Sequence, residues 1–346
     1  MLSSSGAISA KAKAMYGKRI KPAQYEELIR KRSVSEIAQV LKNETGFNDS
    51  LKDIHEMTIH RGQLEHLLRM DLYRRLDKLV RFVDGKQKAY YLAVLKEFEI
   101  EQILARIRMI LSKDFTHSLS DFPTVLTRYT KLNVAQLAVV QSFEELMDGL
   151  KGSPYAELLK PYMNKSDVFD YTGCESVLQN YYIHVVFSAI ERSFRGKTQK
   201  ILKQMWSTRI ELDNITKIYR FKKFFHVNED DIRASLTECE GSIPKAKLNE
   251  MVKCADGEAL LKLLAQSPYH LHTDDKDFVY IEYYADQIKY HLAKRHLHYD
   301  NAPAIVYTAY QLSAEREIEN LINIIEGVRY QVASEEIMTM LIYDCE

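Results

Sequence analysis

Three observations predict an all-α chain. Glycine and proline are scarce, 12 and 7 in 346 residues, which leaves few points where a long helix must stop. Apolar residues recur at threes and fours over long stretches, the period of one helix face. A five-residue pattern of acid, aliphatic, acid, carboxamide and aliphatic also occurs three times: Glu99-Ile100-Glu101-Gln102-Ile103, Glu211-Leu212-Asp213-Asn214-Ile215 and Glu317-Ile318-Glu319-Asn320-Leu321. The copies begin at 99, 211 and 317, intervals of 112 and 106 residues. That is too long for a solenoid unit and about right for a small domain. The chain therefore reads as three similar helical modules, 1–115, 116–227 and 228–346.

The first module opens on a small-residue helix carrying Lys11 and Lys13, then a helix started by Pro22, a good first-turn position. Ser33-Val34-Ser35-Glu36 is a capping box for a short helix that stops near Gly46. A long helix is expected from Leu51 to Val83, with Leu64, Leu68, Leu72, Leu76 and Leu79 on one face, ended by Asp84-Gly85. The first motif helix follows over 86–112. In the second module, short helices at 134–140 and 143–150 precede a break at Gly152-Ser153-Pro154. The turn-rich stretch of Asn164, Asp167, Asp170 and Gly173 leads to a helix from Glu175 to Phe194, and the second motif helix runs from Arg195-Gly196 to Phe225. The third module starts at the acid-backed cap Asn228-Glu229-Asp230-Asp231. Short helices begin at Ser242-Ile243-Pro244 and Glu258, a long one at Phe278, and the last motif helix spans 301–326. Gly327 is expected to end that helix, and Ser334 to cap a terminal helix reaching Tyr343. Leu150-Lys151-Gly152-Ser153-Pro154-Tyr155 also matches Leu264-Ala265-Gln266-Ser267-Pro268-Tyr269, with Lys42–Phe47 in the equivalent place of module one.

Composition excludes several classes. With 48 basic and 48 acidic residues, the chain lacks the cationic excess of a dedicated nucleic-acid binder. Cys174, Cys239, Cys254 and Cys345 are scattered as reduced thiols, and no apolar run reaches the roughly 20 residues of a membrane span. The histidines, including His270, His272, His291, His296 and His298, match no metal-binding spacing. Arg195-Gly196-Lys197-Thr198 keeps only the tail of a phosphate loop and follows a helix. Tyr219-Arg220-Phe221-Lys222-Lys223-Phe224-Phe225 reads as a helix end whose cations suit the dipole and whose aromatics join the core. No catalytic, metal or cofactor residue is expected, so the chain is not predicted to be an enzyme. The 22 tyrosines suit half-buried surfaces and favour an interaction protein.

The candidate site residues are the repeated polar ones: Glu99 with Gln102, Glu211 with Asn214, and Glu317 with Asn320, each pair three apart on one helix face. They either line a shared cavity or act as an internal lock, the carboxamide bonding backbone where a neighbouring helix bends or ends. Triplication favours the lock, because a lock must recur with its module and a catalytic site need not.

Lys11-Ala12-Lys13-Ala14-Met15, Tyr25-Glu26-Glu27-Leu28 and Ser33–Leu41, taken with Glu317–Gly327, resemble the opening and closing motifs of the C subunit of V-type (archaeal-type) rotary ATPases, a relative of the d subunit of the eukaryotic V-ATPase. The resemblance covers the whole chain in order. It implies a funnel of three pseudo-threefold helical domains and a non-catalytic, central-stalk rotor component without cofactor. Its implied partners are the D- and F-type stalk subunits and the membrane proteolipid ring, on the cytoplasmic side and peripheral to the membrane. Lys11, Lys13 and Ile322 stand where that family commonly carries arginine. A free-standing helical scaffold or regulatory adaptor is the competing reading.

Overall fold

The computed structural model describes residues 4–81, 83–113, 127–163, 169–271 and 281–344, and every regular element among them is helical. The expected start of a helix at Phe278, the stretch from Asn164 to Asp167, His272, Cys345 and the junction at 115 lie outside the described residues. The first third holds α1 (Ser4–Gly17), α2 (Pro22–Ile29), α3 (Val34–Glu44), α4 (Asn48–Leu51), α5 (Arg61–Val80) and α6 (Lys88–Ser112). The middle holds α7 (Val134–Val139), α8 (Phe143–Gly149), α9 (Pro154–Met163), α10 (Tyr171–Ser193) and α11 (Gly196–Arg220). The last third holds α12 (Glu229–Ser235), α13 (Lys245–Lys253), α14 (Gly257–Ala265), α15 (Ile281–Tyr299), α16 (Pro303–Arg329) and α17 (Ser334–Thr339).

Local chemistry sets most helix starts. Ser33 accepts from the Glu36 amide at 3.2 Å, and Glu36 reaches back to the Arg32 amide at 2.9 Å, one residue beyond the box expected. Asn133, Ser142, Asp170, Asn228 and Asp256 cap α7, α8, α10, α12 and α14 in the same way.

Four expectations need correcting. The long helix does not run from Leu51. The chain leaves α4 through an extended His55, makes a single 3-10 turn over Glu56–Thr58 and begins the long helix only at Arg61, which lets both Leu51 and Ile59 bury. Lys42 holds this detour by donating to the Ile54 carbonyl at 3.1 Å and pairing with Glu56 at 2.7 Å. Pro154 does not merely break the chain but starts α9, where its missing amide costs nothing. Gly327 lies inside α16 rather than at its end, because Ile337 of α17 packs there: a Cβ would fall 2.6 Å from Ile337 Cγ1. Ser334 lies within α17, whose N-cap is Ala333.

The motif helices α6, α11 and α16 each touch the long helix preceding them, α16 lying most extensively on α15, and each also packs on more distant helices: α6 on α10, α11 on α15, and α16 on α1 and α5. One continuous core therefore runs from Ile8 to Leu341, and a second gathers the C-terminal half of α11 with α12 to α15. The tyrosines serve this interior. Tyr90, Tyr91, Tyr155, Tyr182, Tyr307 and Tyr310 are among the largest fully buried side chains, so their number reflects core packing more than a contact surface. The basic-aromatic run splits likewise. Tyr219 and Lys222 are buried, while Phe224 and Phe225 on the π-helical turn after α11 stay exposed.

Candidate functional site

The three motif glutamates each join their helix to a distant part of the chain. Glu99 on α6 accepts the Tyr155 hydroxyl at 2.5 Å. Glu211 on α11 accepts the Ile243 amide at 2.6 Å with one oxygen and the Tyr269 hydroxyl with the other. Glu317 on α16 accepts the Ile20 amide at 2.7 Å and pairs with Arg75 at 2.9 Å. Burial pushes the Tyr155 and Tyr269 phenols far above their usual range, with the carboxylates adding to it, so both remain neutral donors. Burial works against charge on Arg75, but Glu317 and Asp71 outweigh it and hold the guanidinium ionised.

The tyrosines sit on one recurring turn. Ser153 and Ser267 return their hydroxyls to the Leu150 and Leu264 carbonyls at 2.6 Å, and Thr45 does the same to Leu41. The aromatic two residues on is Tyr155, Tyr269 or Phe47, respectively. Phe47 lacks the hydroxyl, and Arg75 stacks over its ring at 4.4 Å while supplying the donor to Glu317.

Two carboxamides make paired backbone bonds. Asn214 donates to the Thr237 carbonyl at 2.8 Å and accepts its amide at 2.9 Å. Asn320 does the same with Ile342, at 2.8 and 3.1 Å, and also reaches the Tyr25 hydroxyl at 3.3 Å. Gln102 is half-buried on α6, and the segment 22 or 23 residues after it, where such a partner would stand, is not among the described residues.

What meets at the centre is a different position, two residues before each motif. Glu97, Arg209 and Glu315 come from α6, α11 and α16, and Arg209 Nη2 lies 2.7 Å from Glu97 and 3.6 Å from Glu315. Gln311 donates to both carboxylates, at 3.2 and 2.8 Å, and Tyr182 donates to Glu97 at 3.2 Å. Around them the third motif position has a partner on each helix: Glu101 accepts the Tyr73 hydroxyl at 2.7 Å, while Asp213 pairs with Lys289 at 2.9 Å and Glu319 with Arg69 at 2.9 Å. Beneath lies a buried relay in which Trp206 donates to Tyr90 at 3.0 Å and Tyr90 to Thr308 at 2.5 Å, again linking α11, α6 and α16. Residues 97, 209 and 315 obey the same intervals of 112 and 106, but their sign alternates, so a search for repeated acids passes over them.

The sequence profile of the ATP synthase (C/AC39) subunit family matches residues 8–340, nearly the whole chain. The chain belongs to that family. Among its relatives is the C subunit of the A-type ATP synthase of Methanosarcina mazei, 26% identical over 232 residues, which are 66% of this chain and 61% of that protein. The corresponding protein of Methanocaldococcus jannaschii is 23% identical over 266 residues, 76% of this chain and 65% of that one. That of Methanosarcina barkeri is 25% identical over 174 residues, half of this chain and 47% of that one. The aligned stretches thus span about half to two thirds of these relatives.

For this C/AC39 chain the site chemistry is that of joints. Among the described residues no group of histidine, cysteine, aspartate and glutamate is placed to hold a metal ion. Burial, with Asp170, pushes the Cys174 thiol up to about 12, away from any nucleophilic thiolate. No described helix is long and apolar enough to cross a membrane.

Proposed function

We propose that this chain is the rotor socket of an A/V-type rotary ATPase. In this reading it is a non-catalytic, funnel-shaped part with pseudo-threefold modules 1–115, 116–227 and 228–346. It receives the D- and F-type central-stalk subunits on one side and rests on the membrane proteolipid ring on the other, peripheral to the membrane. The observation that carries the reading is that the family match over residues 8–340 covers a fold in which the first and last thirds of the chain are joined. Glu317 reaches the Ile20 amide across 297 positions of sequence, and α16 packs on α1 and α5. A part that transmits torque needs a wall that resists shear, and a closed set of packed helices with charged and hydrogen-bonded joints supplies it.

The test is affinity capture of the tagged chain from gently solubilised membranes of its source, followed by mass spectrometry. Recovery of stalk subunits, head subunits and ring proteolipid is expected. Reproducible capture of unrelated soluble proteins in their place would move the function to a free-standing scaffold or regulatory adaptor.

A further inference from the structure

The central cluster holds more acid than base. Among the described residues, Glu97 and Glu101 on α6, Asp213 on α11, Glu315 and Glu319 on α16 and Asp286 on α15 face Arg209 on α11, Arg69 on α5, and Arg316 and Lys289 on α16 and α15. Glu319 has Arg69 at 2.9 Å, and Asp286 has Arg316 at 2.7 Å as well as Lys289 at 2.6 Å. Glu97 and Glu315 are left to share one guanidinium, which sits 0.9 Å nearer to Glu97 (2.7 against 3.6 Å). The remaining neighbours, Gln311, Tyr182 and Tyr73, are neutral.

We propose that the meeting point of α6, α11 and α16 is a proton-operated joint, in which Glu315, the carboxylate held farther from the shared Arg209, takes up a proton and so relieves the excess negative charge where the three helices meet. Two carboxylates and one guanidinium carry a net negative charge in a partly buried site, and one proton removes it. Burial and Glu97 push the Glu315 carboxyl up to about 7, against the pull of Arg209. The joint is open enough to titrate without unfolding: the side chains of Glu97, Arg209 and Glu315 keep 12%, 19% and 25% of their surface. The linkage sign follows. The unfolded chain releases this proton near the ordinary glutamate value, roughly pH 4.3, so between there and about pH 7 the folded chain binds more protons and stability falls as pH rises. The joint concerns the chain by itself and stands or falls apart from the socket reading.

The experiment is thermal melting of the full chain from pH 5.5 to 8.5, with Glu315→Gln and Glu97→Gln alongside. Wild type should lose about 3–5 °C across the interval from this group. Glu315→Gln, which copies the protonated acid, should remove most of that slope. Carboxyl 13C spectra of glutamate-labelled chain give an independent reading: one glutamate should titrate with a midpoint above 6, vanish in Glu315→Gln and move down in Glu97→Gln. Parallel melting curves for wild type and Glu315→Gln would overturn the joint. So would glutamate carboxyls that all finish titrating below pH 5.5.

Discussion

Glu211 and Glu317 occupy the same place in two copies of one motif, and their surroundings differ in two respects. Each accepts a backbone amide two residues or one residue before a proline, Ile20 ahead of Pro22 and Ile243 ahead of Pro244. The second oxygen then meets a neutral phenol at Glu211 and a guanidinium at Glu317. The two glutamates are equally buried, and the space beside them is the other difference. Glu211 and Asn214 line an open groove of about 680 Å³, whereas Glu317 and Asn320 line a remnant of about 30 Å³. The lesson is that one repeated bond can be cheap at a wet seam and costly at a dry one, because water can replace a lost partner only where it can enter.

The sharpest break is Glu317→Ala. It strands Arg75, only 14% exposed, and leaves the Ile20 amide unpaired at the dry seam. Breaking a buried pair costs about 3–5 kcal/mol, and Asp71 beside Arg75 puts the effect at the lower end. Glu211→Ala should cost about 1–2 kcal/mol, since it strands neutral groups beside the groove. Denaturant midpoints of the two variants measure the gap, and equal losses would mean that the seams do not differ.

The carboxamides repeat the comparison at smaller scale. Asn320→Ala removes two bonds to Ile342 and should cost about 2–3 kcal/mol, while Asn214→Ala removes the same two bonds to Thr237 and should cost about 1 kcal/mol. Amide exchange locates the effect: Ile342 should gain far more exchange in its variant than Thr237 does in its own.

Gly241 sharpens the wet seam. A Cβ there would lie 2.1 Å from the Glu211 carboxyl carbon, so Gly241→Ala must push that carboxylate off the Ile243 amide. It should cost about 1–2 kcal/mol alone and nearly nothing in a Glu211→Ala background. At the dry seam the corresponding residue, two before Ile20, is Lys18, so no such glycine is required there.

These pairs also mark what was legible in the sequence. The all-helical class, the order of long and short helices and the motif positions follow from period and punctuation, which are local. The motif residues were visible because they repeat in kind. Glu97, Arg209 and Glu315 repeat only in place, so the meeting point of the three helices was hidden by a change of sign. The detour at His55 and the close approach of Gly327 to Ile337 depend on what packs against them from elsewhere in the chain, which no local pattern carries.

The smallest expected effect is also the most exacting. Phe47 sits on the same turn as Tyr155 and Tyr269, yet its seam uses Arg75 where theirs use a phenol. Phe47→Tyr adds a hydroxyl to a site where the guanidinium already serves Glu317, so it should be neutral or destabilising by less than about 1 kcal/mol. In an Arg75→Gln background Glu317 loses its strong donor, and the new phenol can make the bond that Tyr269 makes to Glu211. There the same substitution should stabilise by about 1 kcal/mol. A double-mutant cycle read by thermal melting gives the sign directly. A reversal would make the tyrosine and the arginine alternative solutions to one geometric problem. The same sign in both backgrounds would mean that Phe47 and Arg75 stack without sharing the task.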